Sequence, residues 1–145
     1  MITQDNDTDL VIVGLGIPRW AARGLTQTLT PIEQARQVTR DINGRSMNLG
    51  QVQFQKYATT ITCTDQRTPA FDGIWPGEEV VMDCIAELCY PLYGTPQRAV
   101  VEGSERQEGE YIFYRPILQM VFLGFNTSTP EWEGRVTWQM EFEEV

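Results

Sequence analysis

The segment GRVTWQMEFEE, residues 134–144, alternates without a break, with Val136, Trp138, Met140 and Phe142 on one side and Thr137, Gln139, Glu141 and Glu143 on the other. Successive side chains of an extended chain point to opposite faces, so one apolar row and one acidic row specify a half-buried antiparallel strand. A strand of this kind exists only within a sheet, and the remaining sequence supplies the other strands.

In YATTITC, residues 57–63, β-branched residues dominate and Tyr57, Thr59, Ile61 and Cys63 share a face. Asp72-Gly73 and Pro76-Gly77 are turn signals, after which Val80 to Cys84 reads as a strand. Tyr111 to Phe125 is the most apolar stretch and is interrupted by Pro116, which has no N–H for a sheet ladder. The expectation is one long strand with a bulge, or two strands at an angle. Asn43-Gly44 predicts a β-hairpin closed by a two-residue turn with both φ angles positive. Between Tyr90 and Tyr111 the polar stretch around EGSERQEGE predicts a long flexible loop over residues 94–110.

Only Thr30 to Thr39, TPIEQARQVT, offers a helix: Thr30 as cap, Pro31 at the first helical position and Glu33 three residues after the cap. The predicted class is therefore mainly β, an antiparallel β-sandwich or barrel of seven to nine strands with one short helix. Residues 1–145 read as a single domain, with 1–8 a flexible start.

The opening DLVIVGLGIPRW places Gly14-Leu15-Gly16 after a short apolar run, as dinucleotide-binding domains often do. The third glycine of that fingerprint would stand at Arg19, behind Pro18, and no helix of ordinary length follows. A strand ending in a turn is the better reading. The chain contains no histidine, which removes the commonest general base and the partner of Ser-His and Cys-His nucleophiles. Cys63, Cys84 and Cys89 are an odd set without CxxC spacing and read as structural thiols. Glu78-Glu79 and Glu143-Glu144 are neighbours that point apart on a strand, and Asp5 to Asp9 lacks the glycine and distal glutamate of an EF-hand loop. No catalytic residue, metal site or cofactor is expected, and the chain is read as a non-enzyme.

Residues 1–77 carry seven acidic and seven basic residues; residues 78–145 carry thirteen acidic against four basic, which supplies the whole net charge of −9. Nucleic acid is a disfavoured partner, because neutralising phosphates takes basic side chains. No apolar run approaches the ~20 residues of a membrane span, and the start lacks the regions of a signal peptide, so no membrane association and cytoplasmic synthesis are expected. Trp75 in GIWPG and Trp132 in PEWEG stand in turn contexts, and Arg19 and Trp20 raise the same question near the start of the chain. A loop tryptophan either folds back over the core or anchors an interface. These four residues are the candidate interface set.

PAFDGIWPGEEVVMDC and YRPILQMVFLGFNTSTPEWEGRVTWQMEFEEV resemble stretches of small virion proteins of tailed bacteriophages, over residues 60–145. The resemblance implies a β-rich, non-catalytic, multi-copy subunit of the particle, in the tail or its tip. The resemblance also implies synthesis in the host cytoplasm and partnership with copies of itself, as a homo-oligomer, and with other virion proteins. A capsid-decorating protein and a carbohydrate- or receptor-binding module stacking ligand on Trp20, Trp75 or Trp132 are the alternatives.

Overall fold

The computed structural model describes residues 8–18, 20–32, 38–48 and 55–145. Twelve strands occur among them: β1 (Val11–Val13), β2 (Thr26–Pro31), β3 (Val38–Arg40), β4 (Ser46–Asn48), β5 (Tyr57–Asp65), β6 (Glu79–Asp83), β7 (Leu88–Pro91), β8 (Ala99–Val100), β9 (Arg106–Glu108), β10 (Tyr111–Tyr114), β11 (Pro116–Ser128) and β12 (Val136–Glu144). The main sheet has the order β1-β6-β11-β12-β5-β2, with β8 added beside the start of β11. β7-β10-β9 form a second sheet and β3-β4 a separate hairpin. Every pairing is antiparallel.

The main sheet is rolled rather than flat. Gln27 of β2 reaches Met82 of β6 at 3.3 Å, although β5, β12 and β11 stand between their strands in the sheet order. It does not close into a barrel: β1 and β2 remain its two edges. Gln27 spans the opening, its amide nitrogen also donating to Thr59 Oγ1 at 3.2 Å, and its oxygen accepting the N–H groups of Ile85 and Ala86 at 2.8 and 3.2 Å. Both ends of the carboxamide are thereby satisfied, as a polar group in such a place requires.

The alternating rows fall as their period dictates. Val136, Trp138, Met140 and Phe142 are buried, as are Thr59, Ile61 and Cys63 on β5, and they meet Met82, Leu118, Met120 and Phe122 from β6 and β11. Leu15, Ile17, Ala21, Ala22, Phe71 and Ile74 complete this core from the connections between β1 and β2 and between β5 and β6.

No helix occurs among the described residues, which corrects the expected helix over 30–39. Thr30 and Pro31 end β2, paired with Ala58 and Tyr57, and Val38 and Thr39 open β3. The TQTLT alternation aligns with β5, and ladder bonds plus burial of Leu29 against the core outweigh a local capping motif. Pro31 is tolerated because β2 is an edge strand. Residues 33–37 lie outside the described residues, as do residues 1–7 of the expected flexible start.

The hairpin at Asn43-Gly44 forms with a different turn. Asp41 N–H donates to Arg45 O at 2.8 Å and Gly44 N–H to Asp41 O at 3.0 Å, while Asp41 Oδ1 accepts from the N–H groups of Asn43 and Arg45 at 2.9 Å each. Gly44 alone has positive φ, +79°, giving a three-residue loop of the turn-plus-bulge kind. The Asp41 carboxylate captures the two N–H groups that a two-residue turn would have arranged otherwise.

Pro116 splits the apolar stretch into β10 and β11, which belong to different sheets, and the bulge falls further on. Phe122 faces Phe142 and Gly124 faces Glu141, leaving Leu123 as the extra residue. This inverts the parity of everything after it. Phe125 is placed opposite inward-facing Met140 and stacks on Phe71, centroids 4.3 Å apart and planes 9° apart. Within 94–110 the structure places β8 and β9.

Candidate functional site

The direction of each strand decides which connections share an end of the main sheet. β1 runs toward Val13, β5 toward Asp65 and β11 toward Ser128, while β2, β6 and β12 start at that same end. The connections 14–25, 66–78 and 129–135 therefore gather at one end, and they carry Trp20, Trp75 and Trp132 respectively. Arg19 lies outside the described residues.

The first connection begins with a tight turn: Leu15 N–H donates to Ile12 O at 3.2 Å, with Gly14 at φ +98°. The turn leads into loop instead of a helix, so DLVIVGLG is a strand and a turn. Trp20 has φ +68°, the only non-glycine residue in the left-handed region among those described. That conformation crowds a Cβ and costs on the order of 1–2 kcal/mol. The loop around it holds it there. Trp20 O accepts the N–H groups of Gln66 and Arg67, both at 3.1 Å, and the buried Trp138 donates Nε1–H to Ala21 O at 2.7 Å.

Arg23 fixes the same loop to β5. Its backbone N–H and Nε–H donate to Asp65 Oδ2 at 3.0 and 3.2 Å, and Nη2–H donates to Oδ1 at 2.8 Å. Asp65 also accepts Gln66 N–H at 2.8 Å. The Arg23 hydrogen bonds hold the Asp65 carboxyl below its ordinary pKa, more strongly than burial raises it. The guanidinium stands 4.2 Å from the centroid of the Trp20 ring, a cation–π pair at the surface. Trp20 is partly exposed, at 38%.

Trp75 follows buried Ile74 and opens a turn in which Glu78 N–H donates to Trp75 O at 3.3 Å, with Gly77 at φ +101°. Gly77 N–H donates to Phe122 O and Phe122 N–H to Glu78 O, both at 2.8 Å. The backbone beneath Trp75 is thus pinned to β11, while its indole is 70% exposed. Trp132 is 89% exposed, beside the Arg135–Glu133 ion pair at 2.6 Å. Neither indole folds back over the core. What the end can offer is large aromatic area, carried on anchored backbone at Trp20 and Trp75.

A concavity lies at the opposite end and was not signalled by the sequence. Tyr57, Tyr90, Arg98 and Tyr114 line a cleft of about 340 Å³. Arg98 donates Nε–H to Glu144 Oε2 at 2.7 Å and Nη2–H to Glu144 Oε1 at 3.0 Å and to Gln55 O at 2.8 Å. Tyr57 N–H donates to Glu144 Oε1 at 3.1 Å. Hydrogen bonding to Glu144 raises the Arg98 pKa, and burial raises that of Tyr114. The pair spans 46 residues of sequence and locks the end of β12 to the chain entering β8, so its chemistry is that of a strut.

No helix among the described residues is long and apolar enough to cross a membrane. Comparison with protein-family models, with curated proteins and with solved structures finds no match to this chain.

Proposed function

We propose that this chain is a non-enzymatic, multi-copy structural subunit of a tailed-phage virion, in the tail or tail tip, that docks to a neighbouring virion protein through its tryptophan-bearing end. The observation that carries the reading is that Trp20, Trp75 and Trp132 emerge from three connections at one end of the rolled sheet. Tryptophan is the residue most enriched at the energetic centres of interfaces, and anchored backbone lowers the ordering entropy that docking must overcome. The acidic surface of residues 78–145 adds charge matching to a basic neighbour.

Mass spectrometry of purified particles tests the reading. The chain is expected among the virion proteins at a handful to a few dozen copies; hundreds would move it to the capsid shell, and none would overturn the proposal. Particles assembled with Trp75→Ala, Trp132→Ala protein are expected to have lost it. Binding to a glycan array abolished by the same substitutions, with particle incorporation intact, would replace docking with carbohydrate recognition.

A further inference from the structure

The hairpin β3-β4 is a sheet of two strands, and such a ribbon is marginal in water unless it packs on something. Its apolar residues face outward: Ile42 at the tip is 99% exposed, Val38 57% and Met47 43%. Arg40 and Arg45 flank the tip and form no ion pair among the described residues, while the Asp41 carboxylate is occupied by the turn's own N–H groups. The hairpin therefore presents a cationic, apolar knob.

The second sheet presents the complement. The turn after β7 and the turn between β9 and β10 lie side by side, joined by Leu92 N–H donating to Glu110 O at 2.8 Å and by the pairing of Pro91 with Tyr111. Tyr93 is 97% exposed and Tyr111 53%. Beside them stands Glu110, which has no ion-pair partner among the described residues, and Glu108 faces Tyr111 across the ladder, whereas Arg106 is occupied by Glu87 and Glu108. This surface combines two exposed tyrosine rings with the uncompensated Glu110 carboxylate, which suits an arginine-flanked aliphatic tip.

We propose that the hairpin tip of one copy of this chain seats on the Tyr93–Tyr111 surface of a second copy. The proposal rests on the multi-copy reading above and assigns the contact between copies, a surface distinct from the tryptophan end. Hairpin and acidic sheet both leave the main sheet at the end opposite the tryptophans. Self-association on this contact leaves the tryptophan end free for a different protein.

The test uses two variants in a Cys89→Ser background, one carrying Ile42→Cys and the other Tyr93→Cys, mixed and oxidised. A mixed disulfide between the two variants is the expected product; its absence, or Ile42→Cys self-pairs alone, overturns the proposal. Sedimentation velocity of the unmodified protein in low salt is expected to show association that weakens at least about tenfold with Ile42→Asp, the loss of one buried aliphatic side chain. Arg45→Glu should weaken it further, and Glu110→Arg should partly restore it. A protein that stays monomeric at about 100 μM overturns the contact. Association unchanged by Ile42→Asp does so as well. Ile42 packs against nothing, so its replacement leaves the fold intact. Virions that contain the chain without the cross-link would leave the subunit reading standing and remove this contact; a cross-link in a chain absent from virions would do the reverse.

Discussion

The carboxamide oxygen of Gln27 accepts the backbone N–H of Ile85 at 2.8 Å, which ties an edge strand of the rolled sheet to the segment leaving β6. The same oxygen holds Ala86 N–H. Gln27→Leu keeps the volume and strands both donors, so it is expected to cost about 2 kcal/mol, read as a lower urea midpoint. An unchanged midpoint would mean that water satisfies both groups and that the clasp adds nothing.

Asp65 gives the fold an acid-sensitive element. Its pKa is lower in the folded chain than the ordinary carboxylate value, so its contribution is complete above about pH 4 and is lost as pH falls through the depressed folded value. Asp65→Asn is expected to lower stability at pH 7 by about 2 kcal/mol and to flatten the decline of thermal stability below pH 4. Glu87, whose pKa is also lowered by Arg106, leaves a residual slope. Parallel pH profiles for the two proteins would sink the assignment.

Trp20 allows backbone strain to be measured apart from the loss of its ring. Trp20→Ala and Trp20→Gly both remove the indole, but only glycine accepts φ +68° without a Cβ clash. The glycine variant is expected to be about 1 kcal/mol more stable than the alanine variant by chemical denaturation. Equal stabilities would show that the loop relaxes.

The stack of Phe71 on Phe125 exists only because of the bulge at Leu123. A double-mutant cycle with Phe71→Leu and Phe125→Leu is expected to return a coupling of about 1 kcal/mol. Deleting Leu123 removes the extra residue and leaves Phe125 two positions after inward-facing Phe122, still opposite Met140, so the coupling is expected to survive the deletion.

The three thiols separate by burial. Cys89 is exposed, whereas Cys63 and Cys84 are buried and burial pushes the Cys84 thiol up to about 12. One equivalent of maleimide is expected to react at pH 8 in the native protein, at Cys89 by peptide mapping, and three after denaturation. Rapid labelling of Cys84 would reveal local opening at the end of β6.

How far the sequence reaches is visible strand by strand. β5, β6 and β12 carry their own evidence, because a half-buried strand writes its two faces into alternate residues. Their partners are not written anywhere local: Trp138 pairs with Cys63 across 75 positions, and the tyrosine-lined cleft gathers residues 57, 90, 98 and 114 from separate elements. At Thr30 to Thr39 a helix-capping pattern misled because Thr26–Pro31 satisfied the same backbone on β5. The turns bearing Trp75 and Trp132 were legible from Gly and Pro, yet such turns fit an indole facing in or out equally well, and only packing decides.

The position of β12 has a consequence for how the protein is made. Val136–Glu144 is the interior strand that joins β5 on one side to β11 on the other. A nascent chain that has left the ribosome only as far as Ser128 holds both neighbours and nothing to connect them, with their apolar rows open to solvent. Folding of the main sheet must wait for those nine residues, and pairings this remote in sequence form slowly. Ribosome-stalled chains ending at residue 130 should therefore be protease-sensitive and bound by chaperones, and chains extended past Val145 by a linker spanning the exit tunnel should become resistant in a single step.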